Sequence, residues 1–394
     1  MISAEQPGDL ERRLGLGDAV VLGLGSMLGT GVFVVWSPAA ERAGRWLLVA
    51  LGVAALVAYC NATSTAQLAA LYPESGGAYV YGRRRLGRPW GVLAGVAFLI
   101  GKTASCAAAA LAIGSYAWPD HARWTAVAAV GVATALNLLG IGKTAGVTRA
   151  LVVVVLAVLA LVAGTALLTA EGPGADAAVP TVQGPTGVLA AAALFFFAFA
   201  GYARVATLGA EVRDPARIIP RAVVLALGAV LVIYVLVGLI LLGTLGLAGI
   251  AATPTPLAAA VEGVGVVEPV VRLGAAVAAF AILVPLLAGL TRTVFAMASY
   301  GDLPTVFGAV SRRRVPQRAQ LMVSLAVLVV VLTGGLVGAV MVSAGSVLVY
   351  YAIANVAALR LSAAERRWPR GLAILGLVGC VTLATALMTE GGAL

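Results

Sequence analysis

Two apolar segments of this chain begin as membrane-length helices and then run into glycine at mid-depth. The first reads Gly23-Leu-Gly-Ser-Met-Leu-Gly-Thr-Gly-Val-Phe33. The second reads Phe195-Phe-Phe-Ala-Phe-Ala-Gly-Tyr202 and runs on to Glu211-Val-Arg-Asp-Pro-Ala-Arg-Ile-Ile-Pro220. Hydrocarbon offers no partner to an unpaired backbone N–H or C=O, so backbone unwinds there only where it lines a cavity. The chain must therefore build a cavity around these two places.

That argument requires a membrane, and composition supplies it. Of the 394 residues, 61% are hydrophobic and 11% charged, with a mean hydropathy of +1.04. A soluble domain is nearer half apolar and a quarter charged, roughly. The chain reads as one polytopic membrane domain over 1–394. Eleven apolar stretches have spanning length: 16–37, 46–70, 90–117, 122–140, 148–170, 187–211, 218–248, 270–300, 319–337, 340–361 and 370–389. Several exceed about 20 residues, which implies tilt or extension past the bilayer.

The basic residues orient these spans. With the N-terminus inside, the clusters Arg83–Arg85, Arg312–Arg314 and Arg366–Arg370 all fall on the cytoplasmic side. Only Arg42, Arg45, Arg123 and Arg272 fall opposite. This positive-inside bias places the N-terminus in the cytoplasm of a plasma (inner) membrane protein and the C-terminus outside. It also accounts for the net charge of +10 without a nucleic-acid partner. The segment from Met1 to Gly17 lacks the cationic start of a signal peptide and reads as a leader to the first helix. Cys60, Cys106 and Cys380 lie in apolar stretches without metal-ligand spacing and read as small hydrophobes. His121 falls in an outside loop, so neither metal nor cofactor is expected.

Ten spans divide into helices 1–5 (16–170) and 6–10 (187–361), each set beginning at a broken helix. An odd number per set inverts the second relative to the first, the inverted repeat of secondary transporters, with substrate at the breaks. The extra helix, 370–389, is then peripheral.

Three segments together resemble the amino acid–polyamine–organocation superfamily of permeases. They are Gly25-Ser-Met-Leu-Gly-Thr-Gly-Val-Phe33, Tyr72-Pro-Glu-Ser-Gly-Gly-Ala-Tyr-Val-Tyr81, and Phe196-Phe-Ala-Phe-Ala-Gly-Tyr202 with Glu211-Val-Arg-Asp-Pro215 and Ile219-Pro-Arg221. A weaker match runs from Arg292 to Pro304. The resemblance covers about residues 15–320 and implies an all-α leucine-transporter-like fold, with substrate bound between helices 1 and 6.

Elementary chemistry agrees. A half-helix N-terminus exposes N–H groups to a carboxylate. Gly29, Thr30 and Gly31 allow close approach, and Ser26 and Thr30 add hydroxyls. Carbonyls released around Gly23–Gly25 and Phe197–Phe199 suit an ammonium. Phe195, Phe196, Phe197 and Phe199 include candidate pocket walls and gates, although such a cluster is usually core; Phe199, beside the break, is singled out, and Tyr202 is a weaker candidate. The bland reading of the glycines is close helix packing; two matching breaks tell against packing alone.

Lys102 sits about 18 Å into the third span, near mid-membrane, where charge marks function by default. It is the candidate proton carrier, although snorkelling is the competing reading. Some proton-coupled relatives carry such a lysine on the fifth helix; the fifth span here has none. Relatives often carry glutamate where this chain has Ala203, which disfavours cationic substrates and polyamines. Arg204 either contacts substrate or pairs with Glu211. Glu74, Glu211 and Asp214 are expected in cytoplasmic gate ion pairs, and Arg292 is deep enough to need a partner.

An enzyme would need a reactive constellation, and the chain shows no paired-carboxylate metal motif, nucleophile elbow or phosphate loop. A channel would show a filter or charged ring. The reading is a proton-coupled amino acid importer, with an exchanger, uniporter or other organic-solute permease on the same fold as rival. The oligomeric state is not fixed by the sequence.

Overall fold

The structure, a computed structural model of the chain, describes residues 14–72, 76–140, 145–169, 184–206, 212–309 and 316–391. The elements are α1 (Leu16–Met27), α2 (Thr30–Val34), α3 (Trp36–Ala43), α4 (Leu47–Leu71), α5 (Ala78–Arg85) and α6 (Arg88–Ala117). They continue with α7 (Ala122–Leu138), α8 (Ala145–Thr169), α9 (Gly184–Phe199), α10 (Ala203–Ala206), α11 (Pro215–Thr244) and α12 (Gly246–Ala252). The last are α13 (Pro256–Ala259), α14 (Val267–Ser299), α15 (Gln317–Thr333), α16 (Leu336–Leu359) and α17 (Arg370–Gly391). No strand occurs among the described residues, as expected where each backbone group must pair within its own segment.

The described residues of all eleven apolar stretches are mainly helical, and the chain is a polytopic all-α membrane protein. Nine helical runs are long and apolar enough to cross a membrane among the described residues. The remaining two stretches form α7 and α15, of 17 residues each. Each is about 25 Å long, slightly short of a hydrocarbon core of about 30 Å.

Lipid tails are as apolar as leucine, so small residues and polar bonds hold such helices together. Ser105 on α6 meets Ser343 on α16 at 2.7 Å. Thr291 (α14) donates to Gln320 (α15), which donates to Ser324, itself 2.7 Å from Thr134 on α7. Asn61 on α4 accepts from Asn355 on α16 at 2.6 Å and donates to Cys380 Sγ on α17 at 3.2 Å. Thr63 and Thr65, by contrast, bond only to carbonyls of their own helix.

One expectation is corrected here. The eleventh span is not peripheral: α17 packs on α16, α9 and α4. Gly379 lets it approach until an added Cβ would stand 2.6 Å from Val57 Cγ2, and Gly376 rests over Asn61 and Asn355. Two glycines three residues apart make this face narrow enough to enter.

The arginine-rich end is tied by carboxylates other than those expected. Asp302, just past α14, has a fully buried side chain that accepts from Tyr79 at 2.7 Å, Arg83 at 2.6 Å and Arg88 at 2.9 Å. Burial pushes its carboxyl up, but the Tyr79 hydroxyl and the Arg88 and Arg83 guanidiniums together hold it below the usual carboxylate range. Burial and the adjacent Asp302 carboxylate push the Tyr79 hydroxyl up to about 12. Arg85 pairs with Glu365, which also accepts from the Ser362 N–H at 2.9 Å. Those two bonds lower Glu365 to about 2. Asp214 instead caps α11 by accepting from the Arg217 N–H at 3.3 Å, with the ring of Pro215 opening the helix. Its carboxylate also lies 3.8 Å from the Arg217 guanidinium, an ion pair local to this helix end. Glu74 and Glu211 lie outside the described residues.

Asp302→Ala should lower stability by roughly 1–3 kcal/mol, since three donors lose one buried acceptor while the arginines stay partly hydrated. A melting curve of the purified protein in detergent measures it. Because the folded Glu365 titrates low, its contribution is present above about 4.5 and fades as pH falls toward about 2. The melting-temperature difference between wild type and Glu365→Gln should therefore shrink across that window.

Candidate functional site

The first break lies at Leu28 and Gly29, between α1 and α2. Leu28 leaves helical geometry at φ −77°, ψ 35°, and Gly29 follows at φ −93°, ψ −136°. The break is thus later than Gly23–Gly25, whose expected release of carbonyls is corrected: those residues remain in α1. Their glycines serve approach, Gly23 to Val205 and Gly25 to Thr148. The second break does not open fully. After Phe199 the chain tightens into a 3₁₀ turn over Ala200–Tyr202 and resumes as α10.

Tyrosines from other helices satisfy the carbonyls these breaks release. The Tyr234 hydroxyl of α11 stands 2.7 Å from the Met27 carbonyl and 3.2 Å from that of Ala198. Tyr351 of α16 donates to the Ala200 carbonyl at 3.1 Å, and Tyr116 of α6 donates to the Phe33 carbonyl at 2.9 Å, next to the bend between α2 and α3. The opposite polarity is left open. Thr30 Oγ1 is buried without a hydrogen-bond partner among the described residues, the residue being 5% exposed. The N–H groups of Thr30 and Gly31, in the first turn of α2, likewise meet no acceptor there.

Between the breaks lies a cavity of about 310 Å³, at the lower end of the usual range for ligand pockets. Ser26, Gly29, Thr30 and Gly31 form one wall, and Phe197, Ala198, Ala200, Gly201 and Arg204 face them. Phe98, Lys102 and Ser105 of α6 close one side, Ile282, Pro285 and Leu286 of α14 another, and Tyr350 of α16 a third. The Ser26 hydroxyl is committed to the Leu22 carbonyl at 2.8 Å, so it offers the cavity lone pairs rather than its proton. Lys102 Nζ sits 5.9 Å from the Phe98 ring centre, a cation–π distance. No aspartate or glutamate lines the cavity among the described residues.

Of the residues singled out by sequence, Ser26, Gly29, Thr30, Gly31, Lys102 and Arg204 meet around this one cavity. Phe199 and Tyr202 do not line it. The Phe199 ring packs edge-on to Tyr234 at 5.1 Å, and Tyr202 stacks on Tyr351 at 5.0 Å. Their place is taken by Phe197, which shares a helical face with Gly201 and Arg204 at spacings of four and seven. Periodicity alone could have found it. Arg292 is exposed on α14, off the cavity and unpaired with any carboxylate among the described residues, so the expected deep partner is absent there. Phe98, Ile282 and Tyr350 carried no local signal.

A multi-pass helical protein whose two broken helices enclose a ligand-sized cavity is a membrane permease in design. Residues 18–388 match the family described as Amino acid permease, and the chain belongs to that family. An uncharacterized transporter of Mycobacterium tuberculosis is 52% identical over 384 residues, covering 97% of this chain and 87% of that protein. A branched-chain amino acid permease of Bacillus subtilis is 28% identical, covering 75% of this chain and 69% of its own length. The methylthioribose transporter of the same bacterium is 26% identical, covering 76% and 70%.

Gly201 presses on the backbone of Ser26 and Met27, where an added Cβ would overlap the Ser26 carbonyl. Gly201→Ala should therefore drive the two breaks apart, costing about 1–3 kcal/mol of stability and ligand binding with it. Gly228→Ala, where a Cβ meets nothing within 4 Å, should leave both unchanged. Thermal melting with and without added amino acids compares them.

Proposed function

We propose that the protein is a proton-coupled amino acid importer working by alternating access in the plasma (inner) membrane. The observation that carries this reading is the unpartnered Thr30 hydroxyl beside open α2 amides on the wall of the cavity. Those donors suit a carboxylate. The Met27 and Ala198 carbonyls, each retaining a lone pair beside Tyr234, suit an ammonium. The amino acid would lie between α1–α2 and α9–α10, touching Ser26, Gly29, Thr30 and Gly31.

Lys102 is the proton carrier in this reading. It borders the cavity from a mid-membrane position, where an ionisable side chain is expensive and marks function by default. Alternating access then requires α1, α4, α9 and α11 to rock against the other helices. A contact that such motion would break is the Arg149–Asp18 pair between α8 and α1. Arg204, Glu211, Glu74 and Arg292 remain gate candidates. The arginine distribution supports a cytoplasmic N-terminus and an external C-terminus.

The test is uptake into proteoliposomes loaded at pH 7.5, roughly, and diluted into a more acidic buffer. Wild type should concentrate amino acid under that gradient and stop when a protonophore collapses it. Lys102→Ala should lose gradient-driven accumulation. Accumulation by Lys102→Ala equal to wild type would remove proton carriage from Lys102, and wild-type uptake indifferent to the gradient would remove proton coupling altogether.

A further inference from the structure

Lys102 borders the cavity without a carboxylate partner among the described residues, and its immediate surroundings do not supply one. Ser105, nearly one turn along α6, commits its hydroxyl to the Gly101 carbonyl at 3.0 Å and to Ser343 at 2.7 Å. Phe98, one turn back, offers only a ring face. The Tyr350 hydroxyl accepts from the Ala78 N–H at 2.8 Å. An ammonium at this depth needs a counter-charge, and every described neighbour on the cavity wall is neutral or basic. The same cavity is lined by Thr30, whose hydroxyl is buried and unpartnered among the described residues, and by the aliphatic Ile282, Leu286 and Leu290 of α14.

We infer that the substrate is an amino acid carrying a second carboxylate, with Lys102 as the residue that receives it. This rests on the amino acid transport proposed above and deepens it. One carboxylate meets Thr30, the methylenes lie along α14, and the side-chain carboxylate pairs with Lys102. The pairing supplies by substrate the counter-charge that the described part of the protein withholds. A neutral aliphatic substrate would leave the ammonium facing hydrocarbon, and a lysine or polyamine would set like charge beside it. Lys102 is therefore a specificity-determining residue as well as a candidate proton carrier.

The experiment is counterflow exchange in proteoliposomes preloaded with unlabelled L-glutamate, L-aspartate, L-leucine or L-lysine, each against its labelled form. Wild type should exchange glutamate or aspartate about tenfold or more faster than leucine, the ratio that one charge-assisted hydrogen bond supports. Lys102→Met should lose at least that factor for the acidic substrates, whereas Lys102→Arg should retain the acidic preference. Leucine preferred by wild type would overturn the inference and leave amino acid transport standing. An acidic preference unchanged in Lys102→Met would overturn it too. Exchange of none of the four would overturn the inference together with the reading beneath it. The wild-type ratio decides even if a variant fails to fold.

Discussion

A single phenol holds the centre of this molecule. Tyr234 reaches the Met27 carbonyl at the end of α1 and the Ala198 carbonyl at the end of α9. One proton shared between two acceptors makes a three-centre bond, weighted to the nearer oxygen by 2.7 Å against 3.2 Å. In hydrocarbon, unsatisfied carbonyls at these points would cost several kcal/mol, and the helices would rewind rather than stay broken. Tyr351 does the same for Ala200. The protein thus answers the carbonyl side of its breaks from within and leaves the donor side, Thr30 and the first amides of α2, facing the cavity. That asymmetry is what the proposed carboxylate site rests on.

Glycine makes the arrangement possible at both breaks, and packing and opening turn out to be one requirement. Gly31 lies so close to α9 that an added Cβ would stand 2.7 Å from Ala198 Cα, and Gly201 rests on the backbone of Ser26 and Met27. The breaks are pressed together at these contacts, and the space beside them is the cavity. Away from the centre, the helices are joined by bonds that hold shape without chemistry: the Asn61–Asn355–Cys380 node, the Ser105–Ser343 pair and the Asp302 clamp. α17 belongs to this inner framework, since it touches both α4 and the broken helix α9.

How much of this was legible in the sequence depends on whether the cause was local. Span positions were legible because twenty apolar residues announce themselves without reference to anything else. The existence of two breaks was legible from glycine, but the location of the first was not: Tyr234 fixes it at Leu28–Gly29, two hundred residues away in the chain. Thr30 and Gly31 were singled out by the glycine break and Lys102 because charge is rare at mid-membrane, and all three line the cavity. Phe199 was misjudged by adjacency to the break, where helical spacing favours Phe197. The ties at the arginine-rich end escaped because Asp302 and Glu365 meet arginines more than two hundred residues away. A stretch of α17 with glycines three apart was readable as a packing face, though its partners were not.

The account stands on the claim that the two breaks form the substrate site. Its most direct measurement is an experimental structure of the protein at saturating concentration of the amino acid it exchanges. The account predicts one ligand between α1–α2 and α9–α10, its carboxylate within hydrogen-bond distance of Thr30 Oγ1 and the Gly31 N–H. A ligand bound elsewhere, or a cavity left without one under conditions that support exchange, would contradict it.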